Sequence, residues 1–167
     1  MLVRSTISGD QRAFGVLVGR YERALFNLAF RMTGNREDAK DITQAAFVKA
    51  FENLASFDTG QRFFSWLYRI AINESLNRVR VSGRQEDLSA ELPSNEDDPE
   101  TAFRRNRTRE AVQRAVLKLS PDQRAVILLR HFNDMSYEEI GVVLGIPVKT
   151  VKSRLYSARQ ILAGLLA

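Results

Sequence analysis

The stretch SYEEIGVVLGIPVKTVKSRLYSAR, residues 136–159, decides how the C-terminal part of the chain folds. Ser136, followed three residues later by a glutamate, forms a capping box that predicts the start of a helix. Gly145 can adopt the left-handed backbone conformation that ends a helix, and Pro147 fits the first turn of a second helix. The apolar spacing extends that second helix to about Leu162. The stretch therefore predicts a helix-turn-helix.

The second helix of this pair is predicted to bury one apolar stripe and to expose a basic face. The stripe consists of residues spaced by three or four positions: Val151, Leu155, Ala158 and Leu162. The second helix of a helix-turn-helix enters the major groove of DNA. We predict that Lys152, Ser153 and Tyr156 read base edges there. The other predicted DNA contacts of this face, chiefly with phosphates, are Lys149, Thr150, Arg154 and Arg159.

The charge of the chain supports an anionic partner. Its 167 residues carry a formal net charge of +5, and the sequence pI is about 9.9. A lone basic helix is usually only a solvated surface. Here four bases coincide with a helix cap, a terminating glycine and a proline start within residues 136–159. This coincidence favours DNA recognition over a solvated basic face.

The chain is long enough for one ordinary domain or two small ones, and its charge pattern favours two. Residues 86–100 hold seven acids and no base, whereas the flanking blocks are basic. This segment also contains prolines and too few large apolar residues to offset the entropy of ordering. We predict a first domain over residues 1–83, a flexible acidic linker over residues 84–102 and a second domain over residues 103–167.

Both sides of the linker are predicted to be helical, and no β signal is present. Apolar residues at spacings of three and four predict a helix from Asp10 to Met32, and Asn35 can cap the next helix. The predicted buried stripe of that next helix is Ala39, Ile42, Ala46, Phe47, Ala50 and Leu54. A third helix covers about residues 62–81, and a further capping box starts at Ser120. The predicted fold is all-α, with two small helical domains and a helix-turn-helix in the second.

A second candidate nucleic-acid segment is FDTGQRFFSWLYRIAINESLNRVR, residues 57–80. Aromatic residues are concentrated near its middle, and arginines and asparagines surround and follow them. Aromatic rings stack on exposed bases and arginines follow the phosphate backbone, so this mixture suits single-stranded nucleic acid. Asn73 and Asn77 lie one turn apart on the same helix face. The alternative is that the aromatic residues are core and that the arginines are simply solvated.

Several classes of function are excluded or disfavoured by composition. The chain has no cysteine and one histidine, His131, which excludes disulfides and thiolate or multi-histidine metal sites. No nucleophile–base pair or phosphate loop is evident, so neither enzymatic activity nor a cofactor is expected. No apolar run approaches the roughly 20 residues that span a bilayer, and no signal peptide is evident. We expect a soluble cytoplasmic protein without membrane insertion.

Three segments in this order, GDQRAFGVLVGRY, FSWLYRIAIN and SYEEIGVVLGIPVKTVKSRLYSAR, resemble segments of bacterial RNA polymerase sigma factors of the two-domain extracytoplasmic-function group. The resemblance covers nearly the whole chain. It implies a sigma factor that binds core RNA polymerase, recognises the −35 and −10 promoter elements and helps to melt DNA. Its implied partners are the polymerase core and promoter DNA, and an anti-sigma factor is a further candidate.

The resemblance also implies roles for particular residues. The first domain, sigma region 2, would bind the clamp helices of the largest polymerase subunit through Asp38, Asp41, Gln44 and Val48. The loop over residues 57–62 and the helix after it would recognise the −10 element. The residues assigned to that element are Asp58, Arg62, Phe64, Trp66, Arg69, Asn73, Asn77, Arg78 and Arg80. The second domain, sigma region 4, would sit on the flap of the second large subunit and read the −35 element.

The sequence departs from the family pattern on the face assigned to the polymerase. Lys40 and Ala45 stand where family members often have acids, which weakens the expected acidic surface. Phosphorylation of Thr43 would be one way to restore negative charge there. Ser157 stands where some family members carry a base, so the promoter sequence cannot be copied from them.

Three other functions compete with this interpretation. A stand-alone helix-turn-helix regulator would share the C-terminal pattern, but it has no need for residues 57–80. An interaction protein that holds a sigma-like partner would leave the basic helix unused. An enzyme would need catalytic groups that the sequence does not offer.

Overall fold

The computed structural model describes residues 2–82 and 99–167, and within these ranges the chain is helical and contains no strand. The α-helices are α1 (Leu2–Ile7), α2 (Gln11–Thr33), α3 (Arg36–Asn53), α4 (Phe63–Ser82), α5 (Pro99–Leu117), α6 (Pro121–Ile127), α7 (Tyr137–Leu144) and α8 (Val148–Leu166). The predicted all-α fold is confirmed. Most of the predicted linker lies outside the described residues, and its last positions, 99–102, form the start of α5.

The helices of the first domain begin and end where local chemistry predicts. The Asp10 carboxylate caps α2 by accepting from the N–H groups of Arg12 and Ala13, and α2 ends at Gly34, whose φ is 68°. Asn35 caps α3 by accepting from the Asp38 N–H at 3.0 Å. The predicted stripe of α3 is confirmed, since all six of its members are buried. This stripe packs α3 against α2 and α4.

The helices of the second domain also begin and end at capping residues. Ser120 and Gln123 form the predicted capping box, with reciprocal hydrogen bonds of 3.2 Å. The Ser136 hydroxyl oxygen accepts from the Glu139 N–H at 3.1 Å and starts α7, and Gly145 ends α7 with φ of 66°. Pro147 is the N-cap residue of α8 rather than its first helical residue, and α8 runs to Leu166, beyond the predicted Leu162.

The two domains pack against each other, which the sequence did not predict. One continuous cluster of buried apolar side chains contains members from α2, α3 and α4 and also from α5 to α8. At Gly34 the approach is so close that an added Cβ would lie 2.8 Å from Leu117 Cδ1. Gln113 Nε2 also donates to the Phe30 carbonyl at 3.4 Å. The end of α2 is therefore seated directly on α5.

Arg124 lies in this contact and is 1% exposed. Its guanidinium donates to the carbonyls of Val116 at 3.3 Å, Leu117 at 2.9 Å and Leu119 at 3.0 Å, and also to the carbonyl of Met32. The last carbonyls of a helix lack intrahelical partners and carry partial negative charge, so a buried cation can stabilise both helix ends. Burial lowers the pKa of Arg124 to about 10. This side chain joins the C-terminal ends of α2 and α5.

Candidate nucleic-acid interface

The outer face of α8 carries the residues predicted to contact the −35 element. Five of them are exposed: Lys149, Lys152, Ser153, Tyr156 and Arg159. Tyr156 is the most open of the large apolar side chains there, with 68% of its surface exposed. The other two, Thr150 and Arg154, are half-buried. The opposite stripe is buried at Val151, Leu155 and Ala158 and half-buried at Leu162, so packing fixes which face of α8 points outward.

Arg159 is held by a histidine that sequence reasoning did not connect with it. Arg159 Nε donates to His131 Nε2 at 3.2 Å, across 28 residues of chain. The imidazole accepts this bond only when that nitrogen is unprotonated. Burial, and then the charges of Arg159 and Arg130, lower the pKa of His131. The neutral imidazole is therefore favoured, and it orients a predicted phosphate contact.

The aromatic residues near the start of α4 belong mainly to an internal cluster. Phe57 and Trp66 have ring centres 5.0 Å apart, and Phe64 lies 4.1 Å from the buried Tyr68. Phe64 and Trp66 themselves are half-buried. The structure thus favours a packing role for these rings in this conformation, although part of each ring remains accessible.

A polar stripe runs along the exposed side of α4. It consists of Arg69, Asn73, Asn77 and Arg80, which recur at helical spacing and are all exposed. In the loop before α4, the Asp58 carboxylate accepts from the Gly60 N–H at 2.9 Å, so it shapes the turn leading into the helix. The four residues of the stripe therefore share one exposed side of α4, as their helical spacing predicts.

Arg78 faces α3 instead of following the stripe. Its Nη1 lies 3.3 Å from Asp38 Oδ1 and its Nη2 lies 3.9 Å from Asp41 Oδ2. A residue assigned to DNA is therefore paired with two residues assigned to the polymerase. The other residues assigned to the polymerase, Gln44 and Val48, are exposed on α3, and Val48 retains 55% of its accessible surface.

Thr43, the residue suggested for phosphorylation, is largely buried in this structure. Thr43 is 6% exposed, and its hydroxyl donates to the Ala39 carbonyl at 2.7 Å. A kinase needs an accessible hydroxyl, whereas the Thr43 hydroxyl is bonded to the backbone at the floor of a surface cavity that Lys40 and Gln44 also line. The burial follows from the helix period, because Thr43 neighbours Ile42 and Ala46 in the apolar stripe of α3.

The second domain forms ion pairs at two places with residues predicted to contact the −10 element. Arg62 Nη1 is 3.8 Å from Glu139 Oε2, and Arg80 Nη2 is 3.5 Å from Asp122 Oδ1. The Glu139 side chain thus turns toward α4, whereas the sequence predicted that it would complete the capping box of Ser136. Between the start of α4 and α7 is a cavity of about 330 Å³. Its lining includes Arg62, Trp66 and Arg69 on one side and Glu138, Glu139 and Val142 on the other.

The described ranges, 2–82 and 99–167, offer neither a metal site nor a membrane-spanning helix. They contain no group of three or more histidine, cysteine, aspartate or glutamate side chains that could hold a metal ion. None of their helices combines the length and apolar character that a membrane span requires.

The two helical domains correspond to two known family models. Residues 17–85 match Sigma-70 region 2, and residues 109–162 match Sigma-70, region 4. An all-α chain with these two regions in this order defines a sigma-70-type sigma factor.

The chain belongs to the extracytoplasmic-function (ECF) RNA polymerase sigma factors. It is 36% identical to the ECF RNA polymerase sigma factor SigW of Bacillus subtilis (strain 168), over 96% of this chain and 92% of the relative. The resemblance predicted from three sequence segments is confirmed. The function of the chain is promoter-specific initiation of transcription with RNA polymerase, and the stand-alone regulator is not favoured.

Two solved structures share the fold over both domains. The structure of CnrH in complex with the cytosolic domain of CnrY has a TM-score of 0.77 and 33% identity, and the match covers 99% of this chain and 94% of that chain. The sigma factor RpoE from Bartonella quintana, in complex with the anti-sigma factor NepR, has a TM-score of 0.74 and 26% identity, with 92% and 96% covered.

Proposed function

We propose that the two domains divide promoter recognition between them. The first domain, residues 1–83, binds the polymerase clamp through the exposed side of α3 and holds the −10 element along α4. The second domain, residues 103–167, sits on the polymerase flap and reads the −35 element through α8. Residues 84–102 connect them. The observation that best supports this division is the outward face of α8, which exposes three bases, two hydroxyl-bearing side chains and no acid among its predicted contacts.

The chemistry of the two faces suits two forms of DNA. The face of α8 exposes Lys152 and Tyr156, which can enter the major groove of a duplex. The stripe of α4 offers amides at Asn73 and Asn77, which both donate and accept, between arginines at either end. Amides of this kind suit the edges of unpaired bases, and the flanking arginines suit the phosphates.

The chain itself performs no chemistry under this proposal. Polymerase forms the RNA, and the sigma chain positions and opens the DNA in the cytoplasm, where the polymerase acts. An anti-sigma factor is a candidate third partner, as NepR is for RpoE of Bartonella quintana.

Run-off transcription with core polymerase, followed by sequencing of the 5′ ends, tests the proposal. We expect a set of discrete starts that appears only when the chain is added and that shares one upstream and one downstream element. Gel shifts at physiological salt should show specific promoter binding only with core enzyme present. Absence of specific starts, or tight specific binding by the chain alone, would contradict this division of function.

A further inference from the structure

We propose that a cavity at the contact of the two domains binds a small phosphate-like oxyanion. Its polar lining comes from three parts of the chain: Asn27 and Arg31 on α2, Tyr68 on α4, and Asn133 after α6. The cavity has a volume of about 160 Å³, well below the roughly 300–1,000 Å³ of pockets that hold drug-sized ligands, so its size suits a small ion. None of these residues is assigned to promoter DNA or to the polymerase, so the site adds a function to promoter recognition.

Arg31 brings to this cavity a positive charge that no carboxylate neutralises within the described ranges, 2–82 and 99–167. Its side chain is half-buried, and its guanidinium makes neither a hydrogen bond nor an ion pair with the residues of those ranges. The guanidinium carbon lies 4.3 Å from the centre of the Phe132 ring, and this cation–π contact uses no N–H donor. The N–H groups of a guanidinium form a planar fork that matches the oxygens of a phosphate, and here they are available to one.

The charges around Arg31 favour an added anion. Burial, and then the charge of Arg109, lower the pKa of Arg31, whereas Tyr68 raises it. Burial also raises the pKa of Tyr68 to about 12, so the phenol is neutral under physiological conditions and supplies no compensating charge. A partly buried cation beside a second cation is destabilised unless a counter-ion lies close to it. A bound oxyanion would therefore be attracted by both arginines.

The Tyr68 hydroxyl supplies a second donor. The side chain is 1% exposed, and its hydroxyl has no hydrogen-bond partner in the part of the chain that the structure describes. No side-chain nitrogen or oxygen of that part is both fully enclosed and without a partner, so this hydroxyl reaches the cavity that Tyr68 lines. Because its pKa is raised, the hydroxyl keeps its proton and can donate it to a ligand oxygen.

Two asparagine amides add further donors. Asn27 lies one helical turn before Arg31, so both lie on the same face of α2, and its amide has no hydrogen bond among the residues described. Asn133 Nδ2 donates to the Leu128 carbonyl at 3.0 Å, which fixes this amide in the cavity wall. The second N–H of the same amide remains for a ligand.

The lining indicates the chemical class of the ligand. It combines N–H and O–H donors with a cation and includes no carboxylate, so a metal ion or an amine would be repelled. An apolar molecule would leave the donors without partners, which is costly in a partly enclosed site. A tetrahedral oxyanion presents oxygens in several directions and can accept from α2, α4 and the segment after α6 at once. The ligand is therefore free phosphate or the phosphoryl group of a small ester.

The first experiment titrates the ¹⁵N-labelled full chain with inorganic phosphate at constant ionic strength. It follows the NMR signals of the Arg31 Nε–H group and of the Asn27 and Asn133 side-chain amides. We expect these signals to shift together and to saturate with one midpoint, whereas chloride added at the same ionic strength leaves them in place. Shifts that do not saturate and that spread over the exposed bases of α8 would mean an adventitious ion only. That result, or no shift at all, would overturn the proposal.

A parallel titration with glycerol 3-phosphate distinguishes the two sources of the phosphate group. Tighter binding than that of inorganic phosphate would identify an ester as the ligand, because the rest of the molecule then adds contacts. Weaker binding would identify the free ion, because the cavity then has no room for the remainder of an ester. Neither titration involves DNA or polymerase, so its outcome is independent of the proposed function.

The second experiment repeats the phosphate titration on variants. Arg31→Met and Tyr68→Phe are each expected to weaken phosphate binding about tenfold or more, because each removes a hydrogen bond to a charged ligand. Tyr68→Phe keeps the ring that packs on Phe64, so it tests the site even if Arg31→Met does not fold. The control Arg20→Met makes the same change in charge at an exposed position of α2 and should bind like wild type. Wild-type affinity in the Tyr68→Phe variant, or an equal loss in the Arg20→Met control, would overturn the proposal.

Discussion

Arg78 on α4 and Asp38 on α3 form an ion pair, with Nη1 and Oδ1 3.3 Å apart. This pair links the helix proposed to hold the −10 element to the helix proposed to bind the polymerase. Asp41 Oδ2 lies 3.9 Å from Nη2 of the same guanidinium. The two acids can therefore serve either Arg78 or a basic group of the polymerase, and these two uses compete.

Arg78→Ala is expected to tighten binding to core polymerase by about twofold to fivefold, because it frees the Asp38 and Asp41 carboxylates from an exposed pair worth about 0.2–1 kcal/mol. Asp38→Asn should weaken polymerase binding. The control is Lys49→Ala, which breaks the other ion pair between α3 and α4, with Glu74, and leaves Asp38 untouched. Titration of labelled core enzyme gives the three affinities. A loss of affinity on Arg78→Ala would show that the ion pair presents the acids to the polymerase instead of withholding them.

Asn73→Ala is expected to impair promoter opening while folding and polymerase binding stay nearly intact. Asn73 is exposed in the middle of the α4 stripe, and an amide there can bond a base only after the base has left the stack, at a cost of a few kcal/mol. Contacts made only after unstacking favour the open complex. Permanganate footprinting of unpaired thymines measures opening, and the defect should shrink on a template already mismatched across the −10 region. Normal opening on the duplex template would show that Asn73 makes no contact with an unpaired base.

Lys152→Ala should weaken recognition of the −35 element. A side chain paired with a base edge contributes roughly 1–3 kcal/mol of discrimination, so transcription from the native promoter should fall about fivefold or more. The loss should be small on a template whose −35 element is scrambled. If transcription from both templates falls equally, Lys152 contacts a phosphate and does not distinguish one base sequence from another.

The stability of the protein should depend on pH through His131. Because the pKa of His131 is lowered from its ordinary 6.5, the folded chain binds fewer protons there than the unfolded chain. The free energy of unfolding is therefore expected to fall as the pH drops through 6.5. His131→Gln keeps an acceptor for Arg159 but does not titrate, so its urea midpoint should vary less between pH 7.5 and 5.5, a window of about one unit around that pKa. Identical pH profiles for the two proteins would refute this role.

Arg124→Met is expected to destabilise the chain by about 3 kcal/mol or more, because four buried carbonyls lose their donor at once. Arg114→Met is the matched control, since Arg114 forms only an exposed pair with Glu110 on one helix and should cost less than about 0.5 kcal/mol. Urea unfolding of both variants gives the comparison. A small effect of Arg124→Met would mean that water reaches these carbonyls.

The features that the sequence predicted correctly are those encoded over a few residues. The caps at Asn35 and Ser120, the stop at Gly145 and the apolar stripe of α3 depend on neighbours within one or two helical turns. Each could be derived because the helix period and the cap chemistry act locally.

The features that the sequence missed join distant parts of the chain. Arg124 and Met32 are 92 residues apart, and Arg78 and Asp38 are 40 apart. No local pattern marks such pairs, and arginines on a predicted helix usually remain solvated. The same limit applies to the candidate site, since Arg62 and Arg80 could be assigned to DNA from their residue types but not to Glu139 and Asp122. The helix α8 also continues beyond the predicted Leu162 to Leu166, where Leu165 and Leu166 are exposed and do not pack on the core.

The hydrogen bonds of Arg124 are divided unequally, and this division has a mechanical consequence. Three of its four carbonyl partners belong to its own domain, and one, Met32, belongs to the other. Separation of the two domains would leave the Met32 carbonyl to exchange that donor for water, while the three remaining bonds would still hold the end of α5. Arg124 therefore stabilises the second domain by itself, and loss of its single bond to the first domain would leave the fold of the second domain in place.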